Sequence, residues 1–123
     1  MEVIRRVRLA PYRKGMGPRF ALTVWDTGRM VGGKCQLGYR LNEVNGSRRR
    51  TLFEGEDFCC SPLHAIDSDE SVGALLGFLT LRPGDTDPEY FTDYTPRQLE
   101  FCDQHAETLA WEVEVRFGEG GSL

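Results

Sequence analysis

The chain has 123 residues, enough for one domain, and a domain of this size buries roughly two thirds of the surface that its unfolded chain exposes. Its 40% hydrophobic and 28% charged residues exclude an intrinsically disordered chain. The net charge of -4 conceals an uneven distribution. Residues 1–50 hold twelve Lys and Arg against three acids, a net of +9, whereas residues 51–123 hold three arginines against sixteen acids, a net of -13. This division indicates either a basic surface for an anionic partner or two halves that compensate each other.

Two features of the sequence bear on the compartment. The longest uncharged apolar run, residues 71–81, is far shorter than the ~20 residues that cross a bilayer, so no membrane span is expected. Arginines interrupt the apolar residues near the N-terminus, so the continuous apolar centre of a signal peptide is missing. We therefore expect a cytoplasmic protein with no membrane contact, whose cysteines are free thiols.

The first half of the chain alternates apolar and polar residues with the period of two that predicts β-strands. Residues 2–10 predict the first strand, residues 19–26 the second and residues 35–41 the third, with a glycine-rich connection over residues 27–33. Because both faces of the second strand carry apolar residues, we expect it to be central in a sheet.

The clearest turn signal lies at residues 44–47, where Asn45 and Gly46 suit the positive φ of a type I′ hairpin. A register centred on these two residues places Tyr39 opposite Leu52. Four strands joined by short turns predict an antiparallel meander, one face of which packs against helices.

The second half of the chain has the 3.6-residue period that predicts helices. One helix is expected to begin at a cap formed by Asp67 or Ser68. Its expected inner face consists of Val72, Leu75, Leu76 and Leu79. Because Ala74, Phe78 and Leu81 widen this apolar stripe, we expect the helix to be the most deeply buried one.

A second, longer helix is predicted by a capping box at Thr95 and Gln98 and ends at Gly118. Its expected inner face consists of Leu99, Cys102, Ala106, Leu109, Ala110 and Val113. Residues 118–123 are expected to be a disordered tail. The sequence therefore predicts a single α+β domain over residues 1–117, a four-stranded antiparallel β-meander followed by two α-helices packed on one face.

The motifs that resemble catalytic sequences lack their structural context. Residues 28–35 nearly match a P-loop, but a strand is predicted where the P-loop requires a helix, and cysteine replaces the hydroxyl that binds Mg²⁺. A thiol nucleophile at Cys59 or Cys60, activated by His64 or His105, has no group to orient it. These residues favour a protein that is not an enzyme and has no cofactor.

Each of the two histidines lies near a cysteine, which gives the pairs Cys60 with His64 and Cys102 with His105. Together they have the ligand types of a Cys2His2 zinc tetrahedron. Their spacing matches no recognised zinc pattern, and Cys102 belongs to the predicted core, where a free cysteine behaves as a small hydrophobe. We therefore predict no metal site, with a small zinc-binding domain on these four residues as an alternative.

Basic residues collect along the strands and at the turns of the predicted meander. The candidate nucleic-acid-binding residues are Arg13, Lys14, Arg40, Arg48, Arg49 and Arg50, with Arg6 and Arg8 along the first strand. Basic residues on a sheet fit a nucleic-acid backbone, and Tyr12 or Trp25 is available for base stacking. The acids of the second half oppose this partner by repulsion. Single-stranded nucleic acid is therefore an alternative partner.

Residues 85–94 interleave acids with Tyr90, Phe91 and Tyr94. Aromatic anchors within a charged rim are typical of protein-recognition surfaces, although the same rings can instead close the end of the core. Because both charged surfaces can contact a protein, the sequence favours a small non-enzymatic binding module. Its expected partner is another protein or a second copy of this chain, ahead of nucleic acid.

Overall fold

The computed structural model describes residues 2–9, 18–60, 69–82 and 84–117. In this part of the chain four strands precede three helices and one 3-10 turn. They are β1 Glu2–Leu9, β2 Arg19–Val31, β3 Lys34–Asn45, β4 Arg48–Cys60, α1 Asp69–Leu79, the 3-10 turn Pro88–Phe91, α2 Pro96–Gln104 and α3 Ala106–Phe117. The strands form one antiparallel sheet in the order β1-β2-β3-β4. The predicted α+β class and antiparallel meander are confirmed.

The predicted long helix is two helices in the structure. Its capping box is present, with the Gln98 N–H donating to Thr95 Oγ1 at 3.1 Å and the Thr95 N–H donating to Gln98 Oε1 at 2.9 Å. His105 then has φ -125° and ψ -25°, outside the helical region, and separates α2 from α3. The break lets the two segments turn different faces to the core, so that α2 buries Phe101 while α3 buries Leu109. The proposed cap at residues 67 and 68 and the tail at 118–123 lie outside the described residues.

The core lies between the helices and one face of the sheet. Directly opposed residues on the four strands, Val7, Leu22, Leu41 and Phe53, are all buried. The predicted inner face of α1 is also buried, at Val72, Leu75, Leu76 and Leu79. This shared burial of alternate strand residues and one helix stripe accounts for the two-layer architecture.

Three expectations about the helix faces are wrong. Ala74 is exposed and Phe78 is 43% exposed, because the side of α1 that they occupy turns away from the sheet. Leu99 is 40% exposed, whereas Phe101, absent from the predicted inner face, is 2% exposed. The Phe101 ring meets the rings of Phe20 and Phe53 edge-on, at centroid distances of 5.2 and 5.7 Å. The buried stripe of α2 is therefore centred closer to Phe101 than periodicity predicts.

Two-residue turns join the last three strands. Gly32 and Gly33 have φ values of 57° and 79°, as a type I′ turn requires. Strand β2 therefore extends to Val31, and most of the predicted connection over residues 27–33 is strand, with an irregularity between Asp26 and Met30.

At the second turn the register differs from the prediction by two residues, because Asn45 pairs with Arg48. Gly46 has a φ of 63° and no described residue other than glycine has a positive φ, which fits a type II′ turn at Gly46 and Ser47. A β-bulge then makes Leu41 the partner of Phe53, so Tyr39 lies opposite Gly55 and not opposite the predicted Leu52.

Replacing Phe101 with alanine should lower the free energy of unfolding by about 3–5 kcal/mol, because the change leaves a cavity between the helices and the sheet. The matched change Leu99→Ala, on the same helix but at an exposed position, should cost less than about 1 kcal/mol. Chemical denaturation monitored by circular dichroism measures both. Equal losses for the two variants would contradict the described packing of α2.

Candidate binding surface

The sheet face turned away from the helices carries five arginines, which we call the arginine face. They are Arg6, Arg8, Arg19, Arg40 and Arg49. The register places them in three rows of opposed residues, in which Arg6 shares a row with Arg40, Arg19 shares a row with Arg49, and Arg8 has its own. The rows alternate with those of the buried residues, so the arginines belong to the opposite face. All except the half-buried Arg40 are exposed.

Small side chains form the floor between these arginines. The row that begins at Arg8 continues with Ala21, Asn42 and Thr51. The Thr51 hydroxyl donates to Asn42 Oδ1 at 2.9 Å and links β4 to β3. The middle of the arginine face is therefore shallow and polar, with longer basic side chains around it.

Trp25 closes one end of the arginine face. Its indole lies so close to Gly38 that a Cβ added there would be 2.2 Å from Trp25 Nε1. The Arg40 guanidinium lies 5.7 Å from the Trp25 ring centroid, within cation–π range, and donates to Glu54 Oε1 at 2.6 and 3.2 Å. Trp25 is only 6% exposed. Its ring, expected to be available for base stacking, is covered in this arrangement.

The other four arginines of this face have no acidic partner in the described part of the chain. The ion pairs described there involve Arg5, Arg29, Arg40, Arg82 and Arg116. These four side chains are exposed, lie on the same sheet face and carry positive charge that no described acid compensates. They are Arg6, Arg8, Arg19 and Arg49. An anion can contact them without first displacing an internal carboxylate.

A cleft of about 480 Å³ adjoins the Trp25 end of the sheet, and three carboxylates line it. Each carboxylate already accepts a hydrogen bond within the chain. Glu54 accepts from Arg40, Glu56 accepts from the Arg29 guanidinium at 3.2 Å, and Asp26 accepts from the Gly28 N–H at 2.8 Å. Each of the three acids of the cleft therefore has a hydrogen-bond partner within the chain.

The predicted protein-binding residues Tyr90, Phe91 and Tyr94 come together as an aromatic cluster. Ring centroids lie 5.2 Å apart for Tyr90 and Phe91 and 5.0 Å apart for Phe91 and Tyr94, and Tyr94 lies 5.6 Å from Phe53. Phe91 is buried and the two tyrosines are half-buried. Burial, followed by the hydrogen bond with Tyr90, raises the pKa of Tyr94. The cluster closes the end of the core below β4.

The candidate zinc ligands are only partly described, because His64 lies outside the described residues. Cys102 is in the core, where burial raises the pKa of its thiol. His105 is half-buried, with its ring 5.5 Å from that of Phe20. Within the described ranges, no group of three or more His, Cys, Asp or Glu side chains is arranged to hold a metal ion.

The predicted basic residues do not form one surface. Arg13 and Lys14 lie outside the described residues. Arg49 belongs to the arginine face. Arg50 lies opposite Glu43 in the strand register, on the face turned toward the helices. It lines a cavity of about 40 Å³ there, together with Arg97, Glu100, Phe101 and His105. Arg48 is exposed beside the turn. Sequence reasoning missed Arg19, which strand pairing places in the same row as Arg49, with Val44 of β3 between them.

Comparisons of the chain with protein families, with curated proteins and with solved structures find no match. No helix within the described ranges is long and apolar enough to cross a membrane. Function is therefore inferred from the residues of this chain, and the arginine face groups four exposed arginines that have no acidic partner in the described part of the chain.

The contact between Trp25 and Gly38 gives a stability prediction. Gly38→Ala should lower the free energy of unfolding by about 1–3 kcal/mol and expose the indole, because the added methyl group occupies the position of the ring. The control Gly77→Ala, in α1 with open space at its Cβ, should instead raise stability by about 0.5–1 kcal/mol. Denaturation and tryptophan emission measure these effects. Loss of stability in the control alone would contradict the geometry.

Tyr39 gives a pH prediction. Burial, together with its 2.7 Å hydrogen bond to Asp57, raises the pKa of Tyr39 above the usual 10.0. The neutral phenol is therefore favoured in the folded state, and its contribution to stability is complete below pH 10.0 and is lost as the pH rises further. Tyr39→Phe should make the stability fall less steeply above that pH. An unchanged alkaline unfolding curve would contradict this role.

Proposed function

We propose that this protein is a non-enzymatic binding module whose arginine face binds an acidic segment of a protein partner. The observation that carries the proposal is that one sheet face holds four exposed arginines without an acidic partner in the described chain, Arg6, Arg8, Arg19 and Arg49. Clustered like charge on one surface attracts an oppositely charged partner and speeds its association.

The spacing of these arginines favours an extended partner. Arg6 and Arg8 are two residues apart on β1, so their Cα atoms are separated by about 7 Å. Alternate residues of an extended peptide repeat at the same distance, and carboxylates pair with guanidinium groups through two parallel hydrogen bonds. The shallow polar floor at Ala21 and Thr51 leaves room for such a strand. A segment with acids at alternate positions therefore fits the surface.

Single-stranded nucleic acid is the second candidate, because phosphates also pair with exposed arginines on an open sheet. Binding of single strands usually adds stacking of bases on aromatic side chains. Trp25, the aromatic residue at the end of the arginine face, is covered by Arg40 and only 6% exposed. The acidic segment therefore agrees better with the described surface.

The test compares two fluorescent probes, a peptide with glutamate at alternate positions and an oligothymidylate. Changing Arg6 and Arg8 together to glutamine should weaken peptide binding about tenfold or more at low salt, because two charge-assisted contacts are lost. The control is the pair Arg82→Gln and Arg97→Gln, which removes the same charge from the helical layer, on the other side of the sheet. The affinity of this control variant for the peptide should change by less than about twofold. Fluorescence anisotropy gives the dissociation constants.

The outcomes separate the two candidates. Tighter binding of the oligothymidylate than of the peptide, with the same sensitivity to Arg6 and Arg8, would replace the acidic segment with nucleic acid. Binding of neither probe at low salt would contradict both. Equal weakening by the control pair would show attraction to net charge without a site.

A further inference from the structure

A groove of about 370 Å³ runs between α1 and α3, and we call it the helix groove. The two helices are antiparallel along it. Near the start of α1, a Cβ added at Gly73 would be 2.8 Å from Phe117 Cβ at the end of α3. Just after α1, Arg82 forms an ion pair with Glu107, near the start of α3, at 3.4 Å. The groove therefore follows most of the length of α1, which is about 16 Å.

The floor and walls of the helix groove are mostly small or apolar. The residues of this kind that line it are Gly73, Ala74, Gly77, Leu81, Ala110, Val113 and Phe117. Ala74 and Gly77 are exposed, on the side of α1 turned away from the core. A Cβ added at Gly77 would meet no atom within 4 Å, so the groove is open there. Because helices pack more closely where their side chains are small, another helix can approach this part of α1.

Acidic side chains border the helix groove. Glu70 and Asp85 line it on the side of α1 and Glu114 lines it on the side of α3, and all three residues are exposed. Arg82 donates to Asp85 Oδ2 at 3.3 Å and also pairs with Glu107, so this arginine compensates part of the negative charge. None of the described lining residues is lysine or arginine. The border of the groove therefore carries an excess of negative charge.

We propose that the helix groove is a second interaction surface, which binds an amphipathic helix of a protein partner with an apolar stripe and basic flanks. The stripe packs on the small residues of the groove, and the basic flanks lie beside Glu70 and Glu114. A second copy of this chain fits less well. Its own helix groove would bring acids against acids, and its arginine face is a shallow polar surface without an apolar stripe.

The test uses the full chain and two fluorescent helical peptides of about four turns each. The first peptide has leucine at positions i, i+3, i+4 and i+7 and lysine at the flanking positions. The second has the same leucines with glutamate in place of lysine. The lysine peptide should bind at low salt, and the glutamate peptide should bind at least about tenfold more weakly, because its charge has the same sign as the border of the groove. Fluorescence anisotropy measures both affinities.

The variant Gly77→Gln tests the place of binding. It should weaken binding of the lysine peptide by about tenfold or more, because the added side chain occupies the open floor of the groove. Glutamine favours a helix more than glycine does, so the variant should keep its fold in circular dichroism. The matched control Val115→Gln changes an exposed apolar residue of α3 that is not part of the groove. Its affinity for the lysine peptide should change by less than about twofold.

A second pair of variants tests the charge. Glu70→Gln together with Glu114→Gln should weaken binding of the lysine peptide by about threefold or more at low salt. The control Glu89→Gln with Asp93→Asn removes the same charge from exposed acids outside the groove and should have a smaller effect. Equal weakening by the control would show attraction to net charge alone and overturn the proposal.

Three further outcomes would also overturn it. They are no binding of the lysine peptide to the unmodified chain at low salt, unchanged binding in Gly77→Gln, and binding of the glutamate peptide as tight as that of the lysine peptide. Sedimentation of the peptide-free chain covers the remaining occupant. A dimer that is lost in Gly77→Gln would assign the helix groove to a second copy of the chain in place of a basic partner helix.

Discussion

The packing of Phe101 against Phe20 and Phe53 is the contact on which the two-layer structure depends. The three rings belong to α2, β2 and β4, and their edge-on contacts hold the helical layer to the sheet. Once one sheet face is covered in this way, the alternation of the strands sends every second residue to the other face. The arginine face is thus a direct consequence of where the core lies.

The uneven charge of the two halves is only partly compensated within the fold. Among the described residues, ion pairs that join the basic half to the acidic half include Arg5 with Asp69 at 2.6 Å, Arg29 with Glu56 at 3.2 Å and Arg40 with Glu54 at 2.6 Å. All three involve exposed carboxylates and contribute little stability individually. They do not involve Arg6, Arg8, Arg19 or Arg49, so the positive charge of these exposed arginines is not neutralised by them. The charge of the two halves is therefore compensated at some residues and left uncompensated at others.

Irregularities in strand pairing decide which residues share a surface. The bulge opposite Leu41 and Asn42 lets both Leu52 and Phe53 reach the core, although neighbours on a regular strand point to opposite faces. The same change in register places Gly55 opposite Tyr39, where a larger residue would collide with the phenol at 2.8 Å. Such positions cannot be read from a period of two, because the bulge itself changes the period.

The sequence by itself determined the α+β class, the four-strand order, the buried stripe of α1 and the capping box of α2, because each depends on residues that are close in the chain. It also indicated basic strands, including Arg6 and Arg8. The tertiary structure alone decided the pairing of β3 with β4, the division between α2 and α3, and the burial of Phe101 in place of Leu99. These depend on contacts between distant residues, such as Phe101 with Phe20. For the same reason only the sheet register could place Arg19 and Arg49 in one row, on either side of Val44.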